Sequence, residues 1–151
     1  MDLQNKYAPN SICFGCGPAN EKGLKIQSFP QNNIVIADFQ PRTHHQAFPN
    51  VLSGGIIGTI LDCHSNWTAA WSIMQNQAME KPPCTVTAQY LINLKKPCPT
   101  TNSVKLIANI IKSNQNKAII KSELIAENKI VATCEGVFIA VEKGHPAFNR
   151  W

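Results

Sequence analysis

Asp62, Asn66 four residues after it, and the pair Gly54-Gly55 ahead of it are the residues best spaced for chemistry in this chain. On a helix, at about 100° per residue, Asp62 and Asn66 are neighbours on one face. Two glycines in a first helical turn cost backbone entropy, and an ordinary first turn carries a capping Ser or Asp with good helix formers. What glycines permit is close approach to the first-turn N–H groups, which lack helical partners and sit at the positive end of the helix dipole. A carbonyl oxygen placed there is polarised, and its developing negative charge is stabilised. A carboxylate further along the same side then serves as general base or as nucleophile. The blander alternative is a helix whose glycines let a strand pack closely and whose Asp is solvated.

Two other arrangements invite a chemical reading. Asp62-Cys63-His64 looks like a nucleophile with its base, but on a helix Cys63 and His64 point about 100° and 160° away from Asp62. His64 is expected to face inward or toward an interface with a satisfied hydrogen bond. Asn66-Trp67-Thr68 matches a glycosylation acceptor only by chance, in the middle of a helix. Among six cysteines, Cys13-x-x-Cys16 is the one pair with suggestive spacing. Zinc needs two more ligands, and no second Cys-x-x-Cys or His-x-x-x-His is present. Cys84, Cys98, Cys134 or His44/His45 complete such a site only if the fold brings them close. A redox pair of the thioredoxin kind needs a βαβ context that this chain lacks. The preferred reading is structural thiols in a tight glycine-containing turn, with no metal and no cofactor.

These residues need elements to position them. Ser53–Met79 is free of proline and reads as one long helix, stopped by Glu80-Lys81-Pro82-Pro83. Ile56, Ile60, Cys63, Trp67, Ala70, Trp71 and Met74 form its apolar stripe. Gly55, Gly58, Thr59, Asp62, Asn66 and Ala69 form a small, polar opposite side. Residues 1–22 read as irregular, with Pro9, Gly15, Gly17 and Pro18 as breakers. Gly23–Phe29 and Asn32–Gln40 read as strands joined by a turn at Pro30–Asn33, and Pro41–Ser53 as a loop feeding the helix. Four longer strands follow: Cys84–Lys95, Ser103–Ser113, Lys117–Glu127 and Ile130–Glu142. Strands in this order imply an antiparallel sheet with the helix on one face.

Composition sets the bounds. The 151 residues, 44% of them hydrophobic and 15% charged, suit one domain over 1–151 with a sizeable core. No apolar run approaches the roughly 18 residues of a membrane span. The first twenty residues lack the layout of a signal peptide, so a cytoplasmic location with reduced thiols is the expectation. The net charge of +5 is scattered, and Lys95-Lys96 is the only adjacent basic pair. No basic stripe interleaved with aromatics supports nucleic-acid binding. A mild positive bias suits an anionic ligand such as a phosphorylated carrier.

The run HQAFPNVLSGGIIGTILD (residues 45–62) resembles the signature of hotdog-fold acyl-CoA thioesterases of the PaaI type: His-Gln-Gly-aromatic-Pro-Gly-x-x-His-Gly-Gly, six residues, then Asp. CFGCGPANEKGLKI (residues 13–26) is similar to the opening of the same group, and TAQYLINLKKPCP (87–99) and EGVFIAVE (135–142) to its strand signatures. The resemblance implies an α+β hotdog fold, a long central helix wrapped by a curved antiparallel sheet of about six strands. It implies hydrolysis of an acyl-CoA thioester to free acid and CoA, in a homodimer or homotetramer whose sites lie between subunits. Asp62 aligns with the catalytic acid, Gly55 N–H with the oxyanion contact, and Gly54 with the residue that allows close approach. His45 aligns with the histidine that starts the loop motif and orients the thioester or the water, with Gln46 and Asn50 as competitors for that role. Asn66 is placed to hydrogen-bond the water or the acyl group, Ser53 and Thr59 belong to the binding surface, and Lys95, Lys96 and Arg42 are candidates for the CoA phosphates.

Departures from the pattern leave two further readings open. Ser53 stands where the motif has histidine, Cys63 where Glu is frequent, and Asn50 where glycine is usual. The missing histidine motivates a non-catalytic hotdog protein that binds acyl-CoA or a fatty acyl group. A hotdog dehydratase or hydratase would pair an acid with a histidine, and only His45 is available for that. The last residues, GHPAFNRW (144–151), either pack on a neighbour or stay loose.

Overall fold

The helix expected over Ser53–Met79 runs from Gly54 to Asn76 (α2) in a computed structural model describing residues 1–151. Ser53 sits at its N-cap without a side-chain capping bond. At the far end Ala78 turns to a positive φ of 48°. Ala78 N–H reaches Gln75 O at 3.2 Å and Met79 N–H reaches Met74 O at 3.0 Å, the paired bonds that close a helix through a left-handed residue. The two prolines that follow prevent the helix from resuming.

Eight antiparallel strands surround it: β1 (Phe29–Gln31), β2 (Ile34–Phe39), the short pair β3 (Gln46–Phe48) and β4 (Val51–Leu52), then β5 (Thr85–Leu94), β6 (Val104–Ser113), β7 (Lys117–Ala126) and β8 (Lys129–Ala140). Six of the eight strands make one antiparallel sheet in the order β1-β2-β6-β7-β8-β5. The sheet curves round α2, which packs on β5, β6, β7 and β8. Ile57, Ile60, Leu61 and Trp67 meet Leu106, Leu124 and Ala132 in the larger core cluster. Ala69 and Ile73 meet Ile120 and Phe138 in the smaller. The helix is also keyed to the sheet by hydroxyl pairs, Ser65 with Ser122 at 2.8 Å and Ser72 to Ser113 at 3.0 Å.

Four expectations are corrected. Ala69, placed on the small polar side, is fully buried against the sheet, while Ile56 and Trp71 of the apolar stripe are only partly buried. The reason is that α2 is covered nearly all round beyond Ile60, by the sheet on one side and by chain-terminal segments on the other. Residues 1–22 contain a short helix, α1 (Leu3–Tyr7), whose N-cap Asp2 accepts from Asn5 N–H at 2.9 Å. Gly23–Ser28 is not a strand. Leu24 N–H goes to Phe14 O at 2.8 Å and Ile26 N–H to Gly15 O at 3.0 Å, and Lys25 has a φ of 54°. That segment is spent on holding the cysteine turn. Pro41–Ser53 is more ordered than a loop, with a 3-10 turn at Thr43–His45 and the β3–β4 hairpin. Asn50 has a φ of 64° there, which explains its tolerance at a position where glycine is usual.

Candidate active site on the central helix

Gly55, Thr59, Asp62 and Asn66 fall on one stripe of α2. Ile57 is the first residue of the helix whose N–H has a backbone partner, Ser53 O at 3.0 Å, so the N–H groups of Gly54, Gly55 and Ile56 remain for other acceptors. A Cβ at Gly55 would approach only Ser53 Oγ, at 3.7 Å, and one at Gly58 would meet nothing within 4 Å. The strip from Gly55 to Asp62 is therefore open. Thr59 Oγ1 donates to Gly55 O at 2.9 Å, which turns its hydroxyl back along the helix.

Asp62 lines a pocket of about 120 Å³ with Cys13, Cys63, Trp67, Thr87 and Arg150. Its Oδ1 accepts from Thr87 Oγ1 at 2.7 Å. Burial pushes the carboxyl above the usual carboxylate range; the Thr87 bond opposes this, Cys13 adds to it, and Arg150 opposes it again. Asn66 is buried and fully engaged. Its Oδ1 accepts from Thr85 Oγ1 at 2.5 Å and from Arg150 Nη2 at 3.5 Å, and its Nδ2 donates to Thr87 Oγ1 at 3.3 Å. Asn66 is thus linked to Asp62 through Thr87, and both line the same pocket.

Thr85, Thr87 and Arg150 were not singled out by sequence reasoning. Alternation along β5 turns Thr85 and Thr87 inward, and the β5–β8 register shifts just after Thr87, a bulge of the kind that re-aims side chains at functional sites. Arg150 comes from the terminal segment, which packs on its own chain. Arg150 Nη2 donates to Thr85 O at 2.6 Å, and Trp151 stacks on Trp67 with centroids 4.2 Å apart.

The loop candidates lie elsewhere. His45 is buried, its Nδ1 accepts from Arg42 N–H at 3.0 Å, its ring stacks on Phe39, and its carbonyl accepts from Ser53 N–H at 2.9 Å. It faces a groove shared with Lys25, Asp38 and Arg42, not the Asp62 pocket. Burial, then the charges of His44 and Arg42, hold its pKa below the usual histidine value. Within one chain, then, His45 steadies the approach to α2 and is not brought to Asp62. Gln46 is tied into the hairpin, accepting from Asn50 N–H at 3.1 Å and donating to Thr100 Oγ1 at 3.3 Å. Arg42 is separated from Lys95 and Lys96. Those two lysines do share a depression of about 290 Å³ with Gly54, Phe48 and Leu94, at the amino end of α2.

The cysteine pair has a third member. The Sγ atoms of Cys13, Cys16 and Cys63 all lie within 4.8 Å of one another, Cys13 and Cys63 at 3.8 Å. Trp67 Nε1 donates to Cys16 Sγ at 3.3 Å. Hydrogen bonds with Cys16 and then Cys63 hold the Cys13 thiol well below its ordinary range, while those with Cys13 and then Cys16, and burial, push Cys63 up. Cys84, Cys98, Cys134, His44 and His45, the completions considered from sequence, are not in the cluster. Cys63 had been assigned to the apolar stripe of the helix, and its distance along the chain from Cys13 concealed the contact.

No family model matches the chain, and no curated protein matches its sequence. Solved structures do match it. A thioesterase superfamily protein from Shewanella loihica PV-4 is 24% identical, with a TM-score of 0.68 over 83% of this chain and 98% of that one. The PaaI protein of E. coli, from the phenylacetic acid degradation operon, is 13% identical, with a TM-score of 0.67 over 82% and 85%. An uncharacterized protein from Pyrococcus horikoshii is 12% identical, with a TM-score of 0.67 over 88% and 95%. The chain has the hotdog fold, one long helix against a curved six-stranded antiparallel sheet. The likeness at these identities is one of architecture.

Proposed function

We propose that this protein hydrolyses an acyl-CoA thioester to free acid and CoA, with Asp62 as general base and the Gly54-Gly55 N–H groups receiving the carbonyl oxygen. The observation that carries the reading is the open strip joining free N–H groups at the start of α2 to a pocket-facing carboxylate on the same stripe. Gly55 and Asp62 are seven residues apart, about 10 Å along the axis, and the Asp side chain leans back toward the glycine. A hydrogen bond of about 2.9 Å, a carbonyl, an attack distance of about 3 Å and a second hydrogen bond span roughly that gap. Direct attack by the carboxylate leaves the gap too wide. Water between Asp62 and the carbonyl is therefore the favoured nucleophile.

In this scheme Asp62 takes the proton as water adds to the carbonyl carbon. The tetrahedral oxyanion rests on the helix N–H groups. It collapses, the C–S bond breaks, and the proton on Asp62 returns to the departing CoA sulfur. Lys95 and Lys96, beside Gly54, suit the phosphates of CoA. β5 is a ten-residue strand with no partner on its outer edge and with Tyr90, Leu91 and Leu94 exposed, which supports self-association through that edge. A homodimer or homotetramer would bring a second chain's groups to the open strip.

A thiol-release assay across a panel of acyl-CoAs, run beside Asp62→Asn, tests the reading. Hydrolysis lost in the variant supports it, and hydrolysis that survives removes Asp62 from the chemistry. The second reading, acyl-CoA or fatty-acyl binding without turnover, is favoured by Arg150, which lines the Asp62 pocket and narrows it; tight binding with no thiol release would establish it. The hydratase reading has no such support, because His45 faces another groove.

A further inference from the structure

We propose that Cys13, Cys16 and Cys63 together bind one soft divalent cation, zinc by preference, clipping the N-terminal turn onto the central helix with a fourth position facing the Asp62 pocket. This stands independently of the thioesterase reading. Tetrahedral zinc with Zn–S bonds of about 2.3 Å sets its sulfurs about 3.8 Å apart. Cys13 and Cys63 are 3.8 Å apart, and no pair in the trio exceeds 4.8 Å. A disulfide needs about 2.05 Å, so the trio is not cross-linked and its spacing suits sulfurs gathered round one ion.

The backbone is built to reach this spacing. A Cβ at Gly15 would lie 2.4 Å from Cys63 Sγ and 2.9 Å from Thr59 Cγ2, so only glycine lets the turn come down onto α2. A Cβ at Gly17 would lie 2.4 Å from Cys13 N and from Ser11 O, and Gly17 N–H closes the turn on Cys13 O at 2.8 Å. The neighbouring segment then straps the turn in place through the bonds from Leu24 and Ile26. Three converging thiols are thus held by main chain rather than by chance packing.

The donor set selects the ion. Three sulfurs without a carbonyl or hard oxygen in the trio favour zinc or cadmium over magnesium or calcium. Trp67 Nε1–H on Cys16 Sγ is the kind of outer hydrogen bond that orients a metal-bound thiolate. The three cysteines and Asp62 line one pocket, so the remaining position opens where water or an anionic ligand can enter, as at zinc sites with three protein ligands. Binding displaces the three thiol protons and changes no oxidation state. Arg150, in the same pocket, offsets the residual negative charge.

The test is a titration of reduced, metal-stripped protein with cobalt(II) under anaerobic conditions, followed by zinc. The expected result is one cobalt per chain with sulfur-to-cobalt charge-transfer and tetrahedral d–d bands, displaced by one equivalent of zinc and lost in Cys13→Ser and Cys63→Ser. Because a serine variant can misfold, the wild type supplies a second readout: zinc should protect three of the six free thiols from a thiol reagent. Absence of the bands at excess cobalt, bands that persist in Cys63→Ser, or no thiol protection by zinc would each overturn the site.

Discussion

Thr87 Oγ1 donates to Asp62 Oδ1 at 2.7 Å while receiving Asn66 Nδ2 at 3.3 Å. This relay leaves one carboxylate oxygen tethered and the other directed to the pocket. Asp62→Asn is expected to lower acyl-CoA hydrolysis by about 10²–10⁴-fold with an unchanged denaturation midpoint. Thr87→Val should lower kcat by roughly tenfold, and Thr87→Ser should restore it, since the hydroxyl and not the methyl holds the acid. Steady-state kinetics of the three variants check this.

Two glycines near Asp62 make opposite predictions. Gly58→Ala meets nothing within 4 Å and should stabilise the helix by about 0.5–1 kcal/mol. The new methyl intrudes on the open strip, so kcat/KM should fall as stability rises. Gly15→Ala drives a Cβ to 2.4 Å from Cys63 Sγ and should cost about 1–3 kcal/mol. Urea denaturation of both variants, beside kinetics for Gly58→Ala, reads the contrast.

His64 is fully buried between Ser28 Oγ at 2.9 Å and Val35 O at 3.1 Å. Burial lowers its pKa to about 4, with the Val35 bond opposing. A base whose folded pKa lies below its unfolded value binds its proton more readily when unfolded. Stability is therefore kept above about pH 6.5 and lost as pH falls toward 4, levelling beneath that. The loss attributable to His64 is about 3 kcal/mol. Denaturation midpoints measured from pH 7 to 4 should show a shallower decline in His64→Gln than in the wild type.

Ala78 occupies a left-handed conformation, with φ 48°, at the close of α2. A non-glycine residue there carries a penalty of about 1–2 kcal/mol. Ala78→Gly should raise stability by about 1 kcal/mol, with no effect on catalysis, as equilibrium unfolding would show.

The long helix and the four long strands were legible because periodicity, turn residues and Pro82-Pro83 all agree locally. The failures have a common cause in contacts between distant segments. Gly23–Ser28 has strand-like residues, but its N–H groups are taken by the carbonyls of Phe14 and Gly15. Ala69 reads as a small surface residue until a sheet covers that side of the helix. At the site, Asp62 and the helix glycines were visible from motif spacing. Thr87 depended on a bulge, Arg150 on where the terminal segment packs, and Cys63 on a turn folding back across the helix. His45 and Gln46 matched a motif, yet in this chain their hydrogen bonds are spent within the loop.

The hydroxyl pairs between α2 and the sheet carry a final consequence. Ser65 with Ser122 and Ser72 with Ser113 work as detents. A slide of one helical turn, about 5.4 Å, would part both pairs and leave the fully buried Ser65 and Ser122 hydroxyls without each other, whereas a purely greasy contact would tolerate it. The position of Asp62 is indexed by Ser65 and Ser72, which lie about 60–80° round the helix from it. Side chains around the pocket are consequently free to drift, changing what fits there while the acid stays at its mark.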